Sequence, residues 1–252
     1  MGSSDYLSTL RRLREDSLNK ENHYQCNKCK DSMIIFVVDE NGHRFAKDCD
    51  CAIKSNAIRY TRNSGIDEND LKKSFNDFNT LGERELEIAK ATTFSYATRF
   101  RGIMLDRFNS LLLCGKPGTG KTTLGLSVVN LLLNDGVPAL YVSYREMITE
   151  LKQLQYGNED SKQKYEDKME RLKNVDLLFI DDLFKGSETD ADKSLIYDII
   201  NFRYLKRKPI IVSTEKLPSD LIKVDEALGS RIIEMCKGYT VIFKETQNYR
   251  LR

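Results

Sequence analysis

The stretch Ser110-Leu-Leu-Leu-Cys-Gly115-Lys-Pro-Gly-Thr-Gly-Lys121-Thr122 decides the fold of this chain. From Gly115 onward it fits the pattern G-x-x-x-x-G-K-[ST] without a gap, and residues 110–114 form an apolar run short enough for a buried strand. Residues 123–133 then carry apolar side chains at helical spacing, namely Leu124, Val128, Leu131 and Leu132. A strand, a glycine-rich turn and a helix in this order predict a phosphate-binding loop.

The predicted loop binds phosphate oxygens through its backbone N–H groups, because glycines let the chain curl and the following helix begins with its positive dipole end. Lys121 is expected to reach the β and γ phosphates, and Thr122 to hold Mg²⁺ through its hydroxyl. The candidate nucleotide-binding residues are Gly115, Lys116, Pro117, Gly118, Thr119, Gly120, Lys121, Thr122 and Thr123.

A second buried strand is predicted from residues 177–182, where Leu-Leu-Phe-Ile is followed by Asp181 and Asp182. Ligands lie at the carboxyl ends of strands in open α/β sheets, and Mg²⁺ between two phosphates needs a carboxylate. We therefore expect Asp181 to hold Mg²⁺ through its water shell, and Asp182 to polarise the attacking water.

Composition excludes few classes of protein. The 252 residues carry a formal net charge of only +2, so nucleic-acid binding has to come from local patches rather than from the whole chain. No apolar stretch approaches the length of a membrane span, and charges are scattered through residues 1–20. These features predict a cytoplasmic protein with no membrane partner.

Two close cysteine pairs predict a small zinc-binding module near the N-terminus. Cys26 and Cys29 precede a predicted hairpin of residues 33–38 and 43–47, and Cys49 and Cys51 follow it. Four thiolates would hold Zn²⁺ in a structural site and stabilise a module too small to bury a core. The Cys-x-Cys spacing leaves open that His43 or His23 replaces one thiol.

The remaining pattern alternates strands and helices, which predicts a parallel, doubly wound sheet. Predicted helices cover residues 83–100, two segments of 145–173 broken near 157–158, 190–205 and 217–233, and predicted strands cover 139–142, 210–213 and 239–243. An amphipathic helix is predicted at residues 5–21, packing on its own module or on a partner. The boundary falls within residues 52–70, which predicts domains 1–60 and 61–252. Phe75 and Phe78 are either core residues or a cover for an adenine ring.

Three segments together resemble the AAA+ ATPases of the DnaC/DnaI type, the loaders of replicative DnaB-like helicases, many of them carried by phages. They are the loop at 115–122, Leu-Leu-Phe-Ile-Asp-Asp-Leu at 177–183, and Gly-Ser-Arg-Ile-Ile-Glu-Met at 229–235. The resemblance implies a P-loop AAA+ domain that binds ATP and Mg²⁺ and hydrolyses ATP, and we expect it to lack a C-terminal helical lid. It also implies that Arg231 is an arginine finger for a neighbouring subunit, hence an oligomer, and that the zinc module contacts the helicase.

One departure from the family concerns the residues after the strand 210–213. The family has a polar Ser/Thr-Asn pair there that senses the γ-phosphate, whereas this chain has Ser213-Thr214-Glu215. Sensing is therefore assigned to Thr214, because the Glu215 carboxylate is a poor neighbour for a triphosphate. Residues 248–250, Asn-Tyr-Arg, resemble the family's C-terminal ending, and their role is left open.

The leading hypothesis is an ATP-driven loader that assembles on single-stranded DNA and grips a ring helicase. Tyr144, Arg145 and Lys152 are the candidate DNA contacts. The nearest alternative is an IstB-type transposition helper ATPase, against which the cysteine module argues. A further alternative is a non-catalytic zinc adaptor. A GTPase is disfavoured because the guanine-binding Asn-Lys-x-Asp motif has no suitable counterpart.

Overall fold

Two separate units make up the chain in the computed structural model, one up to Ile53 and one from Lys54 onward. The structure describes residues 24–52, 55, 69–186, 188–244 and 249. The predicted helix at 5–21 and His23 lie outside these residues. Within the part of the chain that is described, no helix is long and apolar enough to span a membrane.

The first unit contains the predicted hairpin, here β1 (Ile34–Val38) and β2 (Arg44–Asp48). The strands pair antiparallel, with Ile34 opposite Asp48 and Val38 opposite Arg44. The turn closes on Asp39, whose carboxylate accepts the N–H groups of Asn41 at 2.9 Å and His43 at 2.8 Å. The prediction of a hairpin between the two cysteine pairs is confirmed.

The second unit is built on a five-stranded sheet in which every strand pair is parallel. Its strands are β3 (Leu111–Gly115), β4 (Ala139–Ser143), β5 (Leu177–Asp181), β6 (Ile210–Thr214) and β7 (Thr240–Phe243). The order across the sheet is β4-β5-β6-β3-β7, so β3 and its loop lie between β6 and β7. β3, β5 and β6 are buried along their full length, and each begins with at least three consecutive apolar residues rather than an alternation of apolar and polar residues.

Seven α-helices of the second unit are described. They are α1 (Arg84–Ile103), α2 (Lys121–Asn134), α3 (Tyr144–Gln155), α4 (Glu159–Asn174), α5 (Asp190–Leu205), α6 (Pro218–Val224) and α7 (Glu226–Met235). Two clusters of buried apolar side chains flank the sheet, one including Leu112, Ile180 and Val212 and the other Leu113, Phe179 and Ile211. Alternate residues of each strand thus point to opposite cores, which confirms the doubly wound α/β prediction.

The predicted helix at 217–233 is wrong as a single element. Asp225 is extended, with φ −159° and ψ 113°, and ends α6. Its carboxylate accepts the N–H of Leu228 at 2.8 Å and so caps α7. A Cβ added at Gly229 would lie 2.7 Å from the Leu221 backbone, so the two helices meet at a contact that only glycine allows. Helical periodicity continues across this corner, which explains why the sequence pattern did not reveal it.

Candidate nucleotide site

The phosphate loop connects β3 to α2, and α2 begins at Lys121, two residues before the predicted start. The Lys121 ammonium donates to the carbonyls of Gly115 at 2.8 Å and Lys116 at 2.9 Å. Burial lowers the pKa of Lys121, opposed by the nearby carboxylates, of which Asp182 has the largest effect. Among the described residues this buried ammonium contacts two carbonyl oxygens and no carboxylate directly, which suits it to an anionic ligand.

Gly120 shows why the loop requires glycine. Its φ is +90°, in the left-handed region, and an added Cβ would lie 2.5 Å from the Phe78 ring. Phe78 is itself buried and follows the short 3-10 turn Phe75–Asp77. The loop therefore packs directly against the segment that precedes α1.

Asp181 lies at the end of β5 and is buried. Its carboxylate accepts the hydroxyl of Thr122 at 2.9 Å, that of Tyr141 at 3.0 Å, and that of Ser213. Burial raises the pKa of Asp181, while the Ser213 hydroxyl acts in the opposite direction. The structure thus brings together Thr122 and Asp181, the two residues predicted to hold Mg²⁺, and their hard oxygen atoms fit that ion.

Asp182 follows in a strained conformation, with φ +55°. Its N–H donates to the Ser213 hydroxyl at 2.8 Å, and its carboxylate accepts from the Lys185 ammonium at 2.6 Å. Ser213 therefore contacts both acids. Sequence analysis did not single out Ser213, Tyr141 or Lys185 because their contacts depend on which strands and loops are neighbours.

A cleft of about 250 Å³ collects most of these groups. Its walls come from the loop, the acidic strand end, the segment before α1 and the C-terminal region: Asp77, Phe78, Asn79, Pro117, Gly118, Gly120, Lys121, Thr122, Thr123, Asp182, Lys185 and Tyr249. Tyr249 donates its backbone N–H to the Gly118 carbonyl at 2.9 Å, and its ring centre lies 6.3 Å from that of Phe78. Asn248 and Arg250 lie outside the described residues.

Several predicted residues lie away from the cleft lining. Thr214 is fully buried and donates its hydroxyl to the Leu183 carbonyl at 2.8 Å. Arg231 lies on α7 with its guanidinium over the rings of Tyr197 and Tyr204, at 5.2 and 5.5 Å. It also donates to the Ala227 carbonyl at 2.6 Å. Neither residue lines the cleft, although Thr214 pairs with Cys114 directly before the phosphate loop.

Phe75 and Phe78, which were predicted together, have different environments in the structure. Phe78 lines the cleft, whereas Phe75 packs edge-on against Phe94 with ring centres 5.3 Å apart. The prediction that Tyr144 faces DNA is wrong, because Tyr144 is buried against Phe184 with ring centres 5.6 Å apart. Its position at the start of α3 turns the side chain towards the core.

The first unit brings Cys26, Cys29, Cys49 and Cys51 together, with all four sulfur atoms within 4.8 Å of one another. The Cys26–Cys49 and Cys29–Cys51 sulfur separations are 3.7 and 3.3 Å. Tetrahedral Zn²⁺ with bonds of about 2.3 Å places its sulfurs about 3.8 Å apart, so this donor set fits zinc. Hydrogen bonding, first from the Cys29 backbone, lowers the pKa of Cys26 to about 7, whereas the hydrogen bond with the Cys29 side chain raises the pKa of Cys51. His43 is exposed and lies beside Asp39 at 3.3 Å, apart from the cluster.

Comparisons with known proteins agree with this arrangement. Residues 72–237 match the family described as the bacterial DnaA ATPase domain. The chain is 35% identical to the phage-like element PBSX protein XkdC of Bacillus subtilis (strain 168), over 94% of this chain and 91% of that protein. It is 29% identical to the replicative helicase loader DnaC of Buchnera aphidicola subsp. Baizongia pistaciae (strain Bp), over 72% of this chain and 71% of that protein. The crystal structure of DnaI is similar in fold, with a TM-score of 0.57 and 22% identity over 73% of this chain and 94% of that one.

Proposed function

The chain belongs to the AAA+ ATPases of the bacterial DnaA ATPase-domain family, in their DnaC/DnaI-type group, and we propose that it is an ATP-driven loader of a DnaB-like helicase onto single-stranded DNA. The observation that carries the proposal is the cleft. Lys121, Thr122 and Asp182 line it, and the Thr122 hydroxyl donates a hydrogen bond to Asp181. A triphosphate needs this combination of cation, metal ligands and base.

Four residues at the cleft have roles in the proposed hydrolysis. Lys121 exchanges its two carbonyl contacts for phosphate oxygens, and the loop N–H groups bind the same anion. Thr122 and Asp181 would hold Mg²⁺, and the ion would offset negative charge on the phosphates. Asp182 accepts a proton from the attacking water, or orients that water, at the open side of the cleft.

Phe78 and Tyr249 supply aromatic surface beside the loop, which suits a nucleobase. Stacking on these rings rather than ion pairing is expected to hold the base.

Arg231 is proposed to act on the nucleotide of a neighbouring subunit. Its position on α7, away from the cleft lining of its own chain, is what a residue acting in trans requires. The guanidinium would offset charge that develops on the γ-phosphate during transfer. Self-association is therefore part of the proposal, since hydrolysis then needs two copies of the chain.

The cysteine unit is proposed to bind the helicase. Ile34, Phe36 and Val38 alternate along β1 and leave an apolar face exposed, with Phe36 77% exposed. Zn²⁺ bound by the four cysteines would fix this hairpin, so that the face is presented in one conformation. For DNA, the exposed Arg145 remains a candidate, while Lys152 is already paired with Asp192.

A loading assay tests this function. Wild-type chain is mixed with the replicative helicase of the same host and circular single-stranded DNA, and the helicase retained on DNA is measured with and without ATP. We expect retention to require both the chain and ATP, Lys121→Ala to abolish it, and Phe36→Ser to weaken helicase capture while preserving ATP binding. Equal retention with the Lys121→Ala protein would contradict the proposal.

A further inference from the structure

Lys185 lies on a short loop between β5 and α5 that is firmly anchored. Leu183 and Phe184 are buried, and the Leu183 N–H donates to the Ser213 carbonyl at 2.8 Å. Asp182 and Phe184 both have positive φ, 55° and 59°, a strained conformation that bulky residues adopt where the surroundings impose it. The loop therefore places Lys185 at the cleft wall, with 46% of its side chain exposed to solvent.

The ammonium of Lys185 lies between two acids. It is 2.6 Å from Asp182 and 3.8 Å from Glu215, and the Asp182 contact is the largest cause of the raised pKa of Lys185. Asp181 also raises the pKa of Lys185, and Lys121 is the second cation among the described residues that line the cleft. Glu215 stands where the family has an amide, and Lys185 offsets the negative charge that this exchange introduces.

We propose that Lys185 contacts the terminal phosphate of bound ATP and replaces the polar sensor side chain expected after β6. Without nucleotide, Lys185 pairs with Asp182 and Glu215; with ATP it exchanges the Asp182 contact for a γ-phosphate oxygen. Glu215 then keeps the ammonium in place. The inference rests on the proposed ATP hydrolysis in this cleft.

The exchange links substrate recognition to the proposed base. While the Lys185 ammonium donates to the Asp182 carboxylate at 2.6 Å, that carboxylate oxygen is occupied by the ion pair and not by a water. Release of Asp182 when Lys185 turns to the γ-phosphate makes the carboxylate available for the attacking water. ADP lacks that phosphate, so it leaves the Lys185–Asp182 pair intact.

Nucleotide binding to variants tests the contact. Dissociation constants are measured for Mg²⁺ with ADP and with the non-hydrolysable ATP analogue AMPPCP, for wild type, Lys185→Ala and Lys185→Arg. We expect Lys185→Ala to weaken AMPPCP binding about tenfold and ADP binding less than about twofold, because only the γ-phosphate contact is lost. Lys185→Arg should keep most of the preference for the triphosphate.

Lys216→Ala is the matched control, since Lys216 pairs with Glu188 at 3.9 Å and does not line the cleft. Both of its dissociation constants should stay within about twofold of wild type. Glu215→Gln in the Lys185→Ala background should recover part of the lost AMPPCP affinity, because an unshielded carboxylate no longer repels the phosphate. That recovery is a readout that a merely structural lysine would not produce.

Three outcomes would overturn the inference. Lys185→Ala protein with the wild-type ratio of AMPPCP to ADP affinity would leave Lys185 as a surface ion-pair residue. Faster ATP turnover with unchanged AMPPCP affinity would reduce its role to restraint of Asp182. A wild-type chain that binds neither nucleotide would overturn the proposed function as well, which separates the two failures.

Discussion

The two units of this chain are stabilised in different ways. In the first unit the described buried residues are Cys29, Cys49 and Ala52, while much of its hairpin is exposed. In the second unit two apolar clusters enclose the sheet, and strands such as β3 and β5 are buried throughout. Among the described residues of the first unit, the buried side chains therefore belong mainly to the cysteine cluster rather than to an apolar core.

The difference follows from size. The first unit ends at Ile53, and a module of that size buries too little apolar surface to offset its conformational entropy comfortably, so a metal or disulfides often stabilise it. The second unit has no such limitation. Loss of zinc and loss of a core side chain should therefore act on different units of the same molecule.

Removal of the proposed zinc ion tests whether the two units are stabilised independently, and it should change the protein more than the other tests below. Treatment with a chelator, or Cys49→Ser, should unfold the hairpin unit, because four thiolates without metal repel rather than hold it. The unfolding transition of the second unit should stay in place, because that unit has its own core. Elemental analysis and hydrogen exchange of residues 34–48 measure the two effects.

Cys114→Ser is the control, since Cys114 is a buried core thiol of β3 and not part of the cluster. It should leave zinc content at about one equivalent per chain. Less than about a tenth of an equivalent in wild-type protein never exposed to chelator would contradict the zinc site.

A core truncation sharpens the comparison from the other side. Phe179 is fully buried on β5, and its ring fills the space beside Gly125. Phe179→Ala should lower the free energy of unfolding of the second unit by about 3–5 kcal/mol, through lost burial and the cavity left behind. Phe36→Ala, at an exposed position of the first unit, should change this free energy of unfolding by less than about 0.5 kcal/mol. Urea titration of both variants measures the two changes in the free energy of unfolding. Changes of equal size would contradict this comparison of the units.

The smallest expected effect separates a site completed within one chain from one completed by a neighbour. Arg231→Ala protein should bind ATP and hydrolyse it poorly, because the lost charge acts in the transition state. Lys121→Ala protein has the reverse defect. A mixture of the two should recover part of the turnover where an intact loop meets an intact Arg231. No recovery in a mixture shown to co-assemble would leave Arg231 as a residue of the fold, stacked on Tyr197 and Tyr204.

Much of the second unit could be predicted from the sequence because its signals are local. The loop and the acidic strand end are each recognisable in a short stretch, around Gly115 and Asp181 respectively. Each strand and helix of the alternating pattern is likewise recognisable from its own apolar residues. Which neighbours surround the acids is a property of strand order. Ser213 reaches Asp181 because β6 pairs with β5, and Tyr141 reaches it because β4 pairs with β5 on the other side.

Other features escaped prediction for equally physical reasons. The corner at Asp225 interrupts a continuous helical pattern. Tyr144 is of a residue type that often contacts DNA, but it is buried against Phe184. The pairing of Lys185 with Asp182 and Glu215 needs a loop conformation with two positive φ angles, which no residue type announces. The domain boundaries and the roles of the site residues stay predictions.

The central claim is that nucleotide hydrolysis and helicase binding belong to separately stabilised units. The most direct test measures ATP turnover and co-elution with the replicative helicase in one sample, before and after zinc removal. The account predicts that turnover stays within about twofold while co-elution is lost, since the second unit keeps its core and the first loses its fold. Turnover lost together with zinc, or helicase still bound by the zinc-free chain, would contradict it.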